Sequence, residues 1–126
     1  MKTIEQTYKI KASVDKVWQA LVDPVVIDRW GGGPAKMKAE VGSKFSLWGG
    51  DIHGTNTKII KAKLLEQDWF SGNWAEPSKV VFKLKADGEL AIVELKHTDV
   101  PDSELRDIDQ GWKDFYLNPI KELLES

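Results

Sequence analysis

Gly111-Trp112-Lys113-Asp114-Phe115-Tyr116-Leu117-Asn118-Pro119-Ile120-Lys121-Glu122-Leu123-Leu124 closes the chain, and this stretch decides how the rest must be arranged. It follows Val93-Glu94-Leu95-Lys96-His97, Thr98-Asp99-Val100-Pro101 and an acidic run. Pro101 suits a first helical turn, because it fixes φ and lacks a donor that a helix start leaves unpaired. Asp102, Glu104 and Asp107 place negative charge at the positive end of a helix dipole. Leu105, Ile108, Trp112, Phe115, Pro119 or Ile120, and Leu123 then recur every three or four residues. The spacing predicts one helix of roughly 22 residues, about 33 Å long, with a wide apolar stripe. Pro119 should bend it, since it removes one backbone bond. So long an apolar helix needs an apolar surface of similar length to lie across.

The preceding residues supply one. Thr3 to Lys11 alternates, with Ile4, Tyr8 and Ile10 on one side, and reads as a half-wet strand. Ser13 is a good N-cap for Val14, Val17, Trp18, Leu21 and Val22, an amphipathic helix. Asp23-Pro24 ends it and starts a second short helix carrying Val26, Ile27 and Trp30. Gly31-Gly32-Gly33-Pro34 interrupts regular structure. Strands are predicted at 36–40, 44–48, 52–65, 69–74, 80–85 and 90–98, divided by Val41-Gly42, Gly49-Gly50-Asp51, Glu76-Pro77-Ser78 and Asp87-Gly88. Asp87-Gly88 is the strongest hairpin signal. Short turns imply an antiparallel sheet, with Phe45, Leu47, Phe70, Trp74, Val80, Phe82, Leu84, Val93, Leu95 and His97 on its apolar face. The expected class is α+β, with a curved sheet of about six or seven strands, two short N-terminal helices and a long C-terminal helix.

Composition bounds the function. A chain of 126 residues, 41% hydrophobic and 30% charged, is expected to form a single domain over 1–126. No segment approaches 18 uninterrupted apolar residues, and the charged start Met1-Lys2-Thr3-Ile4-Glu5-Gln6 lacks a signal-peptide core. Without cysteine there is no disulfide, thiolate nucleophile or sulfur-ligated metal, and a cytoplasmic address is expected. A net charge of −2 argues against general nucleic-acid binding. The charge is uneven, with six lysines from Lys36 to Lys63 and six acids from Asp99 to Asp114.

The strand, helix, helix, sheet, long-helix order, with Trp18, Asp23-Pro24 and Trp30, resembles the START-like (SRPBCC) helix-grip superfamily. More narrowly, Phe45-Ser46-Leu47-Trp48-Gly49-Gly50-Asp51-Ile52-His53-Gly54, then Trp74, then Val100-Pro101 leading to Gly111-Trp112-Lys113-Asp114-Phe115-Tyr116-Leu117-Asn118-Pro119-Ile120, is similar to the C-terminal domain of the activator of the 90-kDa heat-shock protein ATPase. The likeness spans Lys2 to Glu125. It implies a helix-grip fold and either a ligand cavity or a role beside a chaperone. Two departures stand out. The eukaryotic activator carries a separate N-terminal domain that is not expected here, and Asp99 stands where relatives commonly have glycine.

The chemistry expected of the chain is binding. Trp30, Phe45, Leu47, Phe70, Trp74 and Phe82 are predicted to line a cavity between sheet and helix, with Leu84, Leu95 and His97 from the later strands. Trp112, Phe115 and Tyr116 complete it from the helix. That lining is apolar and aromatic, and suits a small hydrophobic molecule. His53 and His97 sit in different strands without carboxylates at ligand spacing, so no metal is expected. Asp51 and His53 are spaced as an acid–base pair, but no nucleophile lies near and solvated turn residues are the simpler reading. Gly31-Gly32-Gly33 lacks the Lys-Ser/Thr of a phosphate loop and reads as a connector or a lid; no cofactor is expected. The alternative partner is a chaperone of the 90-kDa heat-shock type, met by Lys36, Lys38, Lys44, Lys58, Lys61 and Lys63. An enzymatic role would rest on Asp51, His53, His97 and Tyr116.

Overall fold

Ser13 and Asp23 open the two short helices by the same device. The Ser13 hydroxyl accepts from the Lys16 N–H at 3.2 Å, and Asp23 accepts from the Val25 N–H at 2.9 Å. A computed structural model describes residues 1–126. It runs β1 (Lys2–Ile10), α1 (Val14–Val22), α2 (Pro24–Trp30), β2 (Lys44–Leu47), β3 (Ile52–Ile60), β4 (Leu64–Ser71), β5 (Ser78–Asp87) and β6 (Leu90–Val100). A 3₁₀ turn at Asp102–Glu104 leads into the C-terminal helix, made of α3 (Leu105–Gly111), a π-helical turn (Trp112–Leu117) and α4 (Asn118–Glu125). The sheet is antiparallel in the order β1-β6-β5-β4-β3-β2. This is the α+β helix-grip architecture expected from the sequence.

The helices cover one face of the sheet, where the apolar side chains of alternate positions meet them. Ile4, Ile10, Phe45, Leu47, Leu65, Val80, Phe82, Val93 and Leu95 pack there with Trp18, Leu21, Ile27, Trp112 and Ile120. The C-terminal helix is held to edge strand β1 at both ends. Gln6 donates to Asp109, Lys121 donates to the Lys9 carbonyl at 2.6 Å, and the Lys11 N–H donates to Glu125 at 2.9 Å.

Three strand boundaries differ from expectation. Residues 36–40 form no strand; Lys36 makes a lone bridge to Ser46. The predicted strand 52–65 is cut at Lys61-Ala62-Lys63, where Ala62 takes φ 61°. No glycine or proline marks that turn, so nothing in the sequence announces it. With β4 starting at Leu64, the inward residues are Leu65, Gln67 and Trp69. Phe70 therefore stands on the opposite face, stacked on His53 with centroids 5.1 Å apart, and Trp74 lies beyond the strand.

The Gly31-Gly32-Gly33 segment is packed. Gly31 ends α2 at φ 102°, and the Gly32 carbonyl accepts from the Trp48 N–H at 2.8 Å. Asp99 adopts φ 63°, a conformation glycine takes without strain. Gly54 answers a different need. A Cβ there would lie 1.8 Å from the Asp68 carbonyl oxygen across the β3–β4 ladder. Gly54→Ala is expected to cost about 1–3 kcal/mol through forced separation of the strands. A urea melt checks it, and an unchanged midpoint would refute the close approach.

Candidate functional site

Pro119 shapes the site from a distance. It has no N–H to give the carbonyl four residues back, and its ring crowds that carbonyl. The helix responds with a π turn, in which the Asn118 N–H reaches Lys113. Widening the turn puts residues four apart, rather than three, on one face. Trp112, Tyr116 and Ile120 therefore face the sheet, 2%, 2% and 0% exposed, whereas Phe115 is 66% exposed. The apolar stripe expected to include Phe115 instead runs through Tyr116.

Behind this turn the rings form a continuous cluster. Trp112 stacks on Trp69 at 5.3 Å and meets Tyr116 at 4.6 Å and Phe82 at 5.7 Å. Tyr116 continues to Trp30 at 4.7 Å and Trp48 at 6.0 Å. Trp30 is anchored by its indole N–H, which donates to the Ala20 carbonyl at 2.8 Å.

A polar chain runs through the cluster. The Trp112 indole N–H donates to His97 Nδ1 at 3.0 Å, so that nitrogen carries no proton. The ring proton therefore sits on Nε2, which donates to Ser78 Oγ at 2.7 Å. Ser78 in turn donates to the Trp69 carbonyl at 2.9 Å. Every member is satisfied, which a buried polar group requires. Burial pushes the His97 imidazole from its ordinary 6.5 down to about 4. His97 is a closed structural element of the core.

Beside the cluster, the C-terminal helix and the ends of β3 and β4 leave an open groove of about 330 Å³. Trp48, Ile52, Trp69, Ile108, Trp112, Phe115 and Tyr116 give it apolar walls; Asp51, Ser71 and Asp107 add polar groups, and Gly111 leaves it space. Trp48 holds φ 50°, an uncommon value for a bulky residue, which costs on the order of 1–3 kcal/mol and is met most often at functional sites. Burial pushes the Tyr116 phenol upward, and the indole N–H of Trp69 is buried without a hydrogen-bond partner.

Of the twelve residues expected to line a cavity, Trp112, Phe115 and Tyr116 line this groove. Trp30, Phe45, Leu47, Phe82, Leu84, Leu95 and His97 are buried in the core behind it. Trp74 sits apart and donates its indole N–H to Glu104 at 2.5 Å. Phe70 is on the outer face with His53, which also separates His53 from Asp51 in the groove. His97 and Tyr116 do not share the groove, and neither histidine lines it. The sequence reading missed Trp48, Ile52, Trp69 and Ile108. The alternation Leu65, Gln67, Trp69 was the signal for Trp69, masked by the glutamine at its centre.

Comparison with known proteins fits this architecture. Residues 11–125 match the family described as activator of Hsp90 ATPase homolog 1-like protein. The chain belongs to this family. Over 85 residues, 65% of the chain, it is 36% identical to an activator of 90 kDa heat shock protein ATPase homolog from Dictyostelium discoideum. The chain spans 22% of that relative's length. An HSP90 activator from Plasmodium falciparum has the same fold, with a TM-score of 0.90 at 24% identity over 98% of this chain and 96% of that one. The CalU16 protein of Micromonospora echinospora superimposes with a TM-score of 0.84 at 26% identity, over 96% of this chain and 73% of its own. No helix of this family member is long and apolar enough to cross a membrane.

Proposed function

We propose that this Hsp90-activator homologue binds a small hydrophobic molecule, without catalysis, in the groove between the C-terminal helix and the ends of β3 and β4. The observation that carries the reading is an open aromatic groove of about 330 Å³, walled in part by Trp69 with its unpartnered indole N–H, within the range of small-molecule sites. Its lining includes two carboxylates and two hydroxyls and contains no histidine, lysine or arginine.

Gly111 offers a direct test. A Cβ at this position would meet no atom within 4 Å, and the residue lines the groove. Gly111→Leu should fill the groove while improving helix propensity by up to about 1 kcal/mol. A neutral naphthalene probe followed by fluorescence is expected to lose at least tenfold in affinity, with no fall in Tm. Equal binding to both proteins would refute the site.

A second reading is favoured by the Dictyostelium relative and by one surface feature. Lys36, Lys38, Lys44, Lys58, Lys61 and Lys63 are exposed and form no ion pair within the chain. They present a basic surface for an acidic partner, consistent with modulation of a 90-kDa heat-shock chaperone. ATP hydrolysis by that chaperone should change on addition of the chain, less so at high salt. Unchanged turnover at large molar excess would end this reading.

A further inference from the structure

The groove's charge is one-sided. Asp51 and Asp107 are its only ionisable side chains apart from Tyr116, and both are exposed at its edges. Neither is paired with a lysine or arginine of the chain. Arg106, next to Asp107 on the helix, is exposed and pairs with neither carboxylate, Lys113 is engaged with Asp109 at 3.8 Å, and no basic residue lines the groove. The same groove is walled by the rings of Trp48, Trp69, Trp112 and Phe115, whose faces are themselves electron-rich. Trp69, on the same wall, adds a buried indole N–H that no group of the chain accepts from.

These features select a ligand by charge as well as by shape. An anionic amphiphile such as a fatty acid would bring its carboxylate beside Asp51 and Asp107 with no cation in the groove lining to meet it. A positively charged group there gains twice, from the carboxylates and from the ring faces. The unpartnered Trp69 indole N–H can donate to a ring heteroatom. We propose that the groove is a site for planar aromatic cations, with the ring system on the aromatic wall and the charged nitrogen at the mouth between Asp51 and Asp107. This rests on the ligand-binding reading above and adds the chemical class of the ligand.

The test uses one ring with three charges: 1-naphthylmethylammonium, 1-naphthylmethanol and 1-naphthoate, titrated into the intact protein at low and at physiological salt. The expected order of affinity is cation, neutral, anion, with at least a tenfold span at low salt that narrows as salt rises. Asp51→Asn combined with Asp107→Asn should weaken the cation far more than the neutral compound and bring the two to within about threefold of each other. Equal affinity for all three, or preference for the anion, would overturn the charge selectivity while leaving a hydrophobic site in place. Binding by none of the three would overturn the ligand-binding reading itself. An ordering that survives the double substitution would overturn the role of the two aspartates. Circular dichroism of the double variant confirms its fold, since both positions are exposed.

Discussion

Trp112→Ala should cost about 3–5 kcal/mol, a large part of the stability of a domain this size. The indole is 2% exposed and touches Trp69, Phe82, His97 and Tyr116. Its removal leaves a void among rings that cannot collapse, because Trp69 and Phe82 are fixed on the sheet. It also takes the only donor from His97 Nδ1. An unsatisfied buried acceptor adds about 1–3 kcal/mol of desolvation cost unless water enters. Trp112→Phe separates the two effects: it keeps most of the volume and loses the N–H, so a smaller loss is expected. Urea denaturation of the three proteins provides the comparison. A loss below about 1 kcal/mol for Trp112→Ala would mean that the groove extends under the indole and that the ring is mainly a wall.

Acid should weaken the protein through His97. Above pH 6.5 the imidazole is neutral in both the folded and unfolded chain, and stability does not depend on it. Between pH 6.5 and about 4 the unfolded chain takes up a proton that the folded one refuses, so stability falls as pH falls. Below about 4 both states are protonated and this loss ends. At about 1.4 kcal/mol per pH unit across that window, the total is about 3 kcal/mol. Denaturant melts at pH 7 and pH 4.5 should show the loss in the native protein and much less of it in His97→Gln. Carboxylates such as Glu125 contribute to acid sensitivity in both proteins alike, so the difference isolates the imidazole. An NMR titration of the His97 ring that midpoints near 6.5 in the folded protein would refute the mechanism.

The fold was legible in the sequence because its signals are periodic and local. Ser13 and Asp23-Pro24 mark two helix starts by capping chemistry, and Asp87-Gly88 marks the β5–β6 hairpin by turn chemistry. The apolar spacing from Leu105 to Leu123 marks a long helix. The site was less legible, for two reasons. The Lys61-Ala62-Lys63 turn uses a positive φ at alanine, so strand phase was lost through β4 and Trp69 exchanged places with Phe70. The π turn then shifted the facing residue from Phe115 to Tyr116. Both errors are slips of phase, and a groove lined by adjacent aromatic residues is where such slips matter most. The identity of the wall residues is set by register, which composition cannot report.

That same π turn also makes the C-terminal helix two rotors on one shaft. Each half has its own fastening to β1, Asp109 to Gln6 upstream and Lys121 and Glu125 to Lys9 and Lys11 downstream. The wide turn takes up the angular offset between the two fastenings, roughly one residue's worth, or about 100°. Deleting one residue from 112–117 would favour a uniform α-helix. Ile108 and Asp107 would then swing away from the groove, while Ile120 kept its seat against the sheet. The groove wall and the core contact can thus be re-aimed independently, and the upstream half can vary in sequence and facing without disturbing the half that closes the core.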